Sequence, residues 1–406
     1  MAGCDNQQSL IPFESALSLL LETAETSLIV ETVPLEAAVG RILAESPVAK
    51  VAVPPADNSG MDGYAVNTAD LSSVAPTQLP VSQRIPAGTA PMGLVSGSCA
   101  RIFTGAEIPE GADAVVMQED VELLENDVLF PAAIRAGANI RRAGQDIKSG
   151  SQLFALGVRL QPTDLGVLAS AGLAKVSVYR RLKVAIMSTG DELVEPGNAL
   201  SAGKIYNSNR YILQGLLRKL GMDVIDMGRV EDSAVATQEA LRRAAETSDV
   251  IVSTGGVSVG EEDHVKSSAE ALGSLKLWRV AIKPGKPVAY GEVLGTPFIG
   301  LPGNPASTLV TFCLLARPFL MKLQGAEYKP PLKLIVAAGF SRSRVMKRQE
   351  YLRVRVESDR LVPYVNQSSG VLSSASWADG LAVIPPGIVV SEGDPLGFIP
   401  FSELLG

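Results

Sequence analysis

The pattern of hydrophobic and polar residues divides this chain of 406 residues into unlike stretches. Residues 13–25 and 34–46 place apolar side chains at helical spacing, and residues 162–174 do so again. Between about residues 51 and 150, short strand-like runs are separated by Gly, Pro and Asn residues. This order predicts a β-rich module inserted into an elongated body of helices and strands.

From about Arg181 the chain alternates between strand-like and helical patterns. Helices are predicted over 208–220, 233–246, 263–272 and 305–323. Strands are predicted at 183–188, 223–228, 249–253, 277–282 and 297–301. Such alternation is typical of a doubly wound, mostly parallel sheet. After Pro330 only short strands follow, which indicates a small C-terminal β-barrel or sandwich.

These patterns together predict a multidomain α/β plus β protein. We expect an elongated body formed by residues 1–50 and 147–180, and an inserted β-rich domain over 51–146. A doubly wound α/β domain is expected over 181–327 and a C-terminal β-barrel over 328–406. The two body segments flank the insertion in the sequence.

Composition narrows the functional classes. The net charge is −7 and the pI about 5.1, which argues against a general nucleic-acid binder. No uninterrupted apolar run reaches the ~18 residues of a membrane span, and the N-terminus lacks the pattern of a signal peptide. The cysteines, Cys4, Cys99 and Cys313, are few and widely spaced. We therefore expect a cytoplasmic protein without a membrane partner.

His264 is the only histidine, and this restricts the possible chemistry. Zinc sites with two or more histidines are excluded, and a Ser-His-Asp triad would need His264 at one specific place. A bound metal would have to use oxygen ligands. That favours Mg²⁺ held by carboxylates together with substrate phosphate.

Three loops follow strands of the predicted α/β sheet and are rich in small residues. They are STGDEL (188–193), STGGVSVGEEDH (253–264) and GLPGNPAS (300–307). Ligands bind beyond the carboxyl ends of strands in such sheets, and small residues let backbone amides approach an anion. Each loop alone could be a tight turn, but three at one sheet edge predict a ligand site.

Charged residues accompany these loops. Asp232 and Asp263 are candidates for helix capping, whereas Glu192 follows a strand through a Thr-Gly turn and is a better candidate for holding Mg²⁺. Lys283 and Lys286 surround a Pro-Gly turn, with Arg279 shortly before. Lysines in turns are usually solvated, but these follow a strand near the anion loops and could neutralise an anion such as phosphate.

The chain closely resembles the MoeA family of molybdopterin molybdenumtransferases, which includes the gephyrin E domain. The resemblance covers nearly the whole length. Its motifs are DNSGMDGYAV (57–66), RIFTGAEIPEGADAVVMQED (101–120), NIRRAGQDI (139–147), the STGDEL loop, VSTGGVSVGEED (252–263), AIKPGKP (281–287) and GLPGNPAS.

This resemblance implies a function and an assembly. Family members take adenylylated molybdopterin and molybdate, cleave the phosphoanhydride, release AMP and leave molybdenum on the dithiolene, in a magnesium-dependent reaction. They are four-domain homodimers. Their site lies between the α/β domain of one protomer and the inserted β domain of the other.

The resemblance also implies site residues at matching positions. The family's functional acids fall on Asp62, Asp146, Glu192, Asp232 and Asp263, with Thr104 in the TGA turn. Glu192 and Asp263 are the expected metal ligands. Phosphates, pterin or molybdate are expected to contact Gly255, Gly256, Ser258, Gly260, Arg279, Lys283, Lys286, Pro302, Gly303, Asn304, Pro305, Arg353 and Ser369.

Two other functions stay open from the sequence. A molybdopterin adenylyltransferase shares the glycine-rich loop and the pterin, although such proteins are usually single-domain and less than half this length. A gephyrin-like scaffold would be a binding protein and not an enzyme, but this chain carries no linker or fused partner module. Docking with the adenylyltransferase is a further possible partnership.

Overall fold

The computed structural model describes residues 10–26, 28–256 and 264–405. The chain opens with helix α1 (Phe13–Thr23) and strand β1 (Val30–Pro34). Ala16 and Leu20 of α1 are fully buried in a core that they share with the α/β domain. The first helix therefore packs on that domain, because its apolar stripe finds its partners there.

The helix predicted over 34–46 is wrong. Only Leu35–Ala37 are helical, as a single 3₁₀ turn. Gly40 then adopts a left-handed φ of +74°, which ends any helix. Ile42 and Leu43 are fully buried and form isolated β-bridges to other body segments. Tertiary pairing of these two residues overrides their local helix propensity.

The inserted domain is rich in short strands, as predicted. Six of them form a sheet in the order β6-β3-β5-β4-β8-β7, and β2 pairs with β9. The strands are β2 (Asn58–Ser59), β3 (Gly63–Val66), β4 (Thr77–Ile85), β5 (Cys99–Ile102), β6 (Ala114–Met117), β7 (Glu122–Leu123), β8 (Asp127–Phe130) and β9 (Ile140–Arg141). Helix α2 (Pro162–Ser170) and strand β10 (Lys175–Tyr179) follow, and β10 pairs antiparallel with β1.

The α/β domain has the predicted alternation. Its elements are β11 (Lys183–Thr189), β12 (Leu193–Val194), β13 (Ile205–Tyr206), α3 (Ser208–Lys219), β14 (Asp223–Val230), α4 (Ala234–Thr247), β15 (Val250–Thr254), α5 (His264–Leu272), β16 (Gly273–Arg279), β17 (Ile282–Lys283), β18 (Pro287–Val293), β19 (Thr296–Leu301), α6 (Pro305–Thr311) and α7 (Arg317–Leu323).

The central sheet runs β14-β11-β15-β19-β18-β16. The first four strands are parallel, and β18 and β16 add an antiparallel edge. Buried residues of α3, α6 and α7 form the core on one face, and those of α4 and α5 form it on the other. The sheet is therefore doubly wound, with the ends of β11, β15 and β19 side by side.

The helical run 305–323 is continuous but irregular. A π-helical segment, Phe312–Ala316, joins α6 to α7. Pro318 follows this segment, and a proline has no amide hydrogen to donate to the carbonyl one turn earlier. The wider π-helical turns therefore lie just before the position where a regular α-helix would lose a hydrogen bond. By length and composition this run could cross a membrane, yet 83% of its apolar 18-residue stretch is buried inside the protein. It is thus a core helix.

The C-terminal region forms the predicted barrel. Its strands are β20 (Leu334–Ala338), β21 (Gln349–Glu357), β22 (Arg360–Pro363), β23 (Gly380–Ile384) and β24 (Pro395–Pro400), with short helices α8 (Ser373–Trp377) and α9 (Phe401–Leu404). The order β21-β22-β20-β24-β23 closes because β23 also pairs with β21. Strand β17 of the α/β domain adds to β21, which connects the two domains.

Candidate functional site

Three loops meet beyond the ends of β11, β15 and β19. They enclose a cavity of about 370 Å³, called the strand-end cavity below. It is lined by Thr189, Glu192, Leu193, Ile205, Asn209, Thr254, Gly255, Pro287, Pro302, Gly303, Asn304, Pro305 and Ser307. The structure thus brings together the three glycine-rich loops at the edge where α/β sheets bind ligands.

Glycines make close packing of these loops possible. Gly255 and Gly256 have left-handed φ angles of +83° and +65°. A Cβ atom on Gly255 would lie 2.9 Å from the Thr189 carbonyl oxygen, and one on Gly256 would lie 2.3 Å from Cγ2 of Val265. Because neither position accepts a side chain, main-chain groups form this part of the wall, as an anion-binding loop requires.

Asn209 of α3 supports the third loop. Its Nδ2 donates a hydrogen bond of 2.7 Å to the carbonyl of Gly303. The side chain is 9% exposed and contributes to the cavity lining. Sequence reasoning missed this residue, although it lies near the start of α3 and faces the same sheet edge as the loops.

Glu192 places an exposed carboxylate at the rim of the strand-end cavity. Its Oε2 lies 2.6 Å from the position that a Cβ atom on Gly190 would occupy, so this glycine makes room for it. Asp191 follows Gly190, and its Oδ1 accepts a 3.5 Å hydrogen bond from the amide of Asp232. Ser233, not Asp232, caps helix α4, which leaves the capping explanation for Asp232 without support.

Within residues 10–26, 28–256 and 264–405, no three Asp, Glu, His or Cys side chains form a ready-made metal site. Mg²⁺ often uses only one or two carboxylates and takes its other ligands from water and substrate phosphates. Glu192 meets that requirement at the cavity rim. The second predicted metal ligand, Asp263, lies outside the described residues, as do Ser258 and Gly260.

A second cavity, of about 490 Å³, lies between the α/β domain and the barrel. We call it the basic cavity because Lys283, Lys286 and Arg348 line it. The remaining lining residues are Pro284, Gly285, Pro287, Asn304, Ser307, Gln367, Ser368 and Ser369. Pro287, Asn304 and Ser307 line both cavities, so the two share a wall.

A buried carboxylate positions the main lysine of the basic cavity. Nζ of Lys283 lies 2.8 Å from Oε1 of Glu350, whose side chain is only 2% exposed. Arg342 pairs with the same carboxylate. Burial alone would raise the pKa of Glu350, but hydrogen bonds and charges from Arg342 and Lys283 outweigh burial and lower it. One anion thus offsets only one of these two cations, so the group keeps a net positive charge, to which Lys286 and Arg348 of the basic cavity add theirs.

Arg353 lies beneath the basic cavity and lines neither cavity. It is 1% exposed, its Nε donates to Ser374 Oγ at 2.9 Å, and its Nη2 donates to the Ser368 carbonyl at 3.0 Å. Burial lowers the pKa of its guanidinium to about 10. Ser369, next along the loop, accepts a 2.9 Å hydrogen bond from the amide of Ala306. Arg353 therefore holds the loop that carries Ser369 and does not itself reach the cavity space.

Two other basic residues differ from the sequence-based picture. Arg279 ends β16, where its carbonyl accepts a 2.8 Å hydrogen bond from the amide of Ile11, and it is absent from the lining of both cavities. Arg348 lines the basic cavity and donates to the Ile282 carbonyl at 3.1 Å, but sequence reasoning missed it. The run of basic residues at 342–348 was the available signal.

In the inserted domain Asp62 and Thr104 form a hydrogen-bonded pair. Asp62 Oδ1 accepts from both the amide and the hydroxyl of Thr104, at 2.7 Å each. These donors, the amide first and then the hydroxyl, hold the pKa of Asp62 below its ordinary value. The motifs MDGYA and FTGA, 42 residues apart along the chain, thus build one carboxylate site.

Asp146 does not pair with its neighbour Arg142 among the described residues. Arg142 pairs with Asp57 at 2.5 Å, and Asp57 also accepts from the amide of Ala143 at 2.8 Å. Asp146 is exposed, and no hydrogen bond or ion pair reaches its carboxylate from the described part of the chain. Its charge is therefore available to an outside ligand.

The inserted-domain residues do not complete the cavities within one chain. Over the ranges that the structure describes, Asp62, Thr104 and Asp146 are absent from the lining of both cavities. Glu192, Gly255, Lys283, Asn304 and Ser369, by contrast, are gathered around the shared wall.

Comparisons with known proteins agree with this architecture. Residues 11–172 match the MoeA N-terminal region (domains I and II), residues 185–322 match a probable molybdopterin binding domain, and residues 336–401 match the MoeA C-terminal region (domain IV). Among solved structures, a molybdopterin biosynthesis MoeA protein from Pyrococcus horikoshii has a TM-score of 0.80 and 36% identity, covering 97% of this chain and 99% of that one.

Curated relatives extend over the same length. A molybdopterin molybdenumtransferase of Haemophilus influenzae is 38% identical, over 98% of this chain and all of the relative. A protein of the same name from a Nostoc species is 37% identical, over 88% of this chain and 85% of the relative. The ordered motifs, the four-part fold and these full-length similarities show that the chain belongs to the MoeA family.

Proposed function

We propose that this protein inserts molybdate into adenylylated molybdopterin and releases AMP. The observation that carries the proposal is the shared wall between two cavities of different character. The strand-end cavity offers main-chain groups and small residues, which suit a phosphorylated pterin. The basic cavity offers lysines and an arginine, which suit a small oxyanion such as molybdate.

The names of the relatives support this assignment. The relatives from Haemophilus influenzae and Nostoc are named molybdopterin molybdenumtransferase, and residues 185–322 match a probable molybdopterin binding domain. We therefore assign the pterin and its phosphates to the strand-end cavity and molybdate to the basic cavity. With this arrangement, molybdate would lie next to the bound pterin across Asn304 and Ser307.

The residues of the chain would act mainly through position and charge. The 254–256 and 302–305 segments hold phosphate and pterin groups through the backbone. Lys283, oriented by Glu350, and Lys286 stabilise the negative charge of molybdate and of the separating phosphate. Fixed donors and cations of this kind lower the barrier because they need no reorganisation during the reaction.

We also propose Mg²⁺ as the metal of this site. The donor set fits, because Glu192 is an exposed carboxylate at the rim of a cavity that would hold substrate phosphates, and Mg²⁺ accepts such mixed ligands. When bound, the ion would neutralise phosphate oxygens. Asp263 is the second ligand that we expect from the family motif.

Two substitutions test the catalytic assignment. Asp62→Asn and Glu192→Gln should each lower molybdate-dependent AMP release by on the order of 10²-fold, as is usual when a positioned charge is lost from a polar site. Glu125→Gln in the inserted domain and Glu246→Gln on α4 are exposed controls outside the family motifs and should keep full activity. If Asp62→Asn and Glu192→Gln both retained full activity, the site assignment would be wrong.

The rival functions predict different measurements. An adenylyltransferase would adenylylate molybdopterin with ATP in the absence of molybdate, whereas we expect AMP release only after molybdate is added. A scaffold would bind the adenylylated pterin without turnover. The barrel and the inserted domain favour the transferase, because a compact adenylyltransferase needs neither.

We further infer a homodimer. Asp62, Thr104 and Asp146 match family motifs but line neither cavity, and an inserted domain from a second copy could bring them there. The two described cysteines, Cys99 and Cys313, are buried free thiols, which fits the proposed reducing, cytoplasmic location. A complex with the adenylyltransferase that supplies the substrate is the other partnership we propose. Sedimentation of the two proteins, alone and mixed, tests it.

A further inference from the structure

A third cavity, of about 260 Å³, lies away from the proposed reaction. It forms where the body segment 157–159, helix α7 and the segment 326–329 meet, and we call it the junction cavity. Its lining residues are Gly157, Val158, Arg159, Arg317, Pro318, Met321, Ala326, Glu327, Tyr328 and Lys329. None of them lines the strand-end or the basic cavity.

Arg159 enters this cavity without a carboxylate partner. Its Nη2 donates to the Lys219 carbonyl at 2.9 Å, and its Nε makes a longer contact of 3.4 Å with the Gly40 carbonyl. These neutral acceptors fix the direction of the guanidinium but leave its charge uncompensated. Throughout the described residues, no Asp or Glu comes within ion-pair distance of Arg159.

Arg317 is the second arginine of the cavity, and its guanidinium has fewer hydrogen-bond partners than that of Arg159. Its Nε is buried and has no hydrogen-bond partner among the described residues. The same part of the chain holds no ion-pair partner for it. Burial lowers the pKa of both arginines, and the charge of Arg317 lowers that of Arg159 further. Two like charges therefore share a partly buried space at a cost in free energy.

The other charged residues do not remove this excess. Glu327 is the one acid among the described lining residues. Its side chain is 67% exposed, and its Oε2 lies 3.9 Å from Nζ of Lys329. The lining thus carries three cations and one anion, in a chain whose net charge is −7. Cys313 and Tyr328 also lie near Arg317, but burial raises the pKa of both groups, so they are neutral near pH 7; Glu403 acts on Arg317 through space without an ion pair among the described residues.

We propose that the junction cavity binds a small tetrahedral oxyanion of the phosphate or sulfate type. Such an anion would satisfy the free N–H donors of Arg159 and Arg317 and compensate both charges. At roughly 30 Å³ for each water, the cavity has room for a phosphate group with a few waters. It falls below the ~300 Å³ from which pockets for larger organic ligands begin.

This site is independent of the proposed molybdate site. Arg317 follows Ser307, which lines both other cavities, by 10 residues along the helical run 305–323, which corresponds to roughly 15 Å along the axis. The inference therefore does not rest on the proposed function. Loss of AMP release and loss of the junction anion would be separate results.

Thermal unfolding of the full chain in increasing inorganic phosphate tests the proposal. We expect phosphate to raise the Tm of the wild type, because a ligand that binds only the folded state stabilises it. Arg317→Met should be at least as stable as the wild type without phosphate, since it removes an unpaired charge. Its phosphate affinity by calorimetry should fall on the order of ten-fold or more, and Arg159→Met should weaken binding similarly.

A control variant separates this cavity from the basic one. Lys286→Met changes only the basic cavity and should keep the phosphate-dependent rise in Tm. The proposal is overturned if Arg317→Met keeps the full phosphate effect, if Lys286→Met abolishes it, or if Arg317→Met unfolds more easily in the absence of phosphate. The same measurement with AMP distinguishes a site for a free anion from a site for a phosphate ester. If the site requires an ester, AMP should raise the Tm in an Arg317-dependent way and inorganic phosphate should not, which would overturn the proposal.

Discussion

At the scale of single residues, the hydrogen bond from the Thr104 hydroxyl to Asp62 should have a measurable effect on the pKa of Asp62. Thr104→Val removes the hydroxyl donor but keeps the side-chain shape and the amide donor. The pKa of Asp62 should therefore rise, while staying below its ordinary value, in an NMR titration of the carboxyl carbon. Because the folded-state pKa is lowered, ionised Asp62 stabilises the fold above its ordinary pKa, and this is lost as pH falls through the lowered value.

Thr68→Val is the matched control for that experiment. Thr68 makes the same kind of pair with Asp113 in the same domain, through its amide at 2.7 Å and its hydroxyl at 2.6 Å. The Thr68→Val variant should leave the titration of Asp62 and the release of AMP unchanged. An unchanged Asp62 pKa in Thr104→Val would contradict the geometry described above.

Glu350 gives a second residue-scale prediction. Glu350→Gln should lower the free energy of unfolding by about 3 kcal/mol, because it leaves Lys283 and Arg342 without their buried anion. Urea unfolding measures this, and the exposed pair Arg360–Glu392 provides the control, since Glu392→Gln should cost less than ~1 kcal/mol. The wild-type advantage should be present above the ordinary pKa of Glu350 and disappear as pH falls through its lowered pKa. Equal losses in both variants would show that Glu350 is not a buried anchor.

The sequence predicted single residues better than their partners. The acids of the motifs are visible in the sequence, but Arg142 pairs with Asp57, 85 positions away, and not with nearby Asp146. Likewise, Arg353 has the right residue type for an anion contact, yet the barrel buries it under the loop that it supports. Contacts between distant segments depend on the tertiary fold, which local patterns do not encode.

At the scale of elements, the cost of replacing a loop glycine should depend on the room for a Cβ atom as much as on the backbone angle. Gly256 and Gly203 both have left-handed φ angles, +65° and +78°. A Cβ on Gly256 would collide with Val265, whereas one on Gly203 would meet nothing within 4 Å. Gly203→Ala should therefore cost about 1 kcal/mol and Gly256→Ala about 3 kcal/mol, through added overpacking. Urea unfolding measures both, and similar losses would mean that the loop relaxes freely.

The elements of the α/β domain followed from the sequence because hydrophobic period, capping residues and length all agreed. Asn207, for example, caps α3 by accepting from the Arg210 amide at 3.3 Å. The helix prediction for residues 34–46 was wrong although their apolar spacing is helical. The left-handed backbone of Gly40 and the β-bridges of Ile42 and Leu43 are incompatible with a helix. The antiparallel strand β18 was also missed, since Pro and Gly interrupt its pattern.

At the scale of the whole molecule, the four-part architecture was predictable because each part has its own pattern. The assembly was not predictable from these patterns. Residues that match one family site lie partly in the inserted domain and partly around two cavities, and no described residue of the inserted domain lines either cavity. If a second copy completes the site, Asp62 and Glu192 of any one active site must come from different chains. A rearrangement within a single chain would require both from the same chain.

Subunit mixing distinguishes these two arrangements. Asp62→Asn and Glu192→Gln should each keep only about one hundredth of the activity. The two variants should be unfolded together, refolded and assayed for molybdate-dependent AMP release. In a shared-site homodimer, half of the dimers are mixed and each mixed dimer has one site free of both substitutions, so about one quarter of the wild-type activity should return. Refolding each variant alone controls for recovery. If activity stays at the level of the single variants although mixed dimers form, both residues act within one chain, because only then does every site keep one defect.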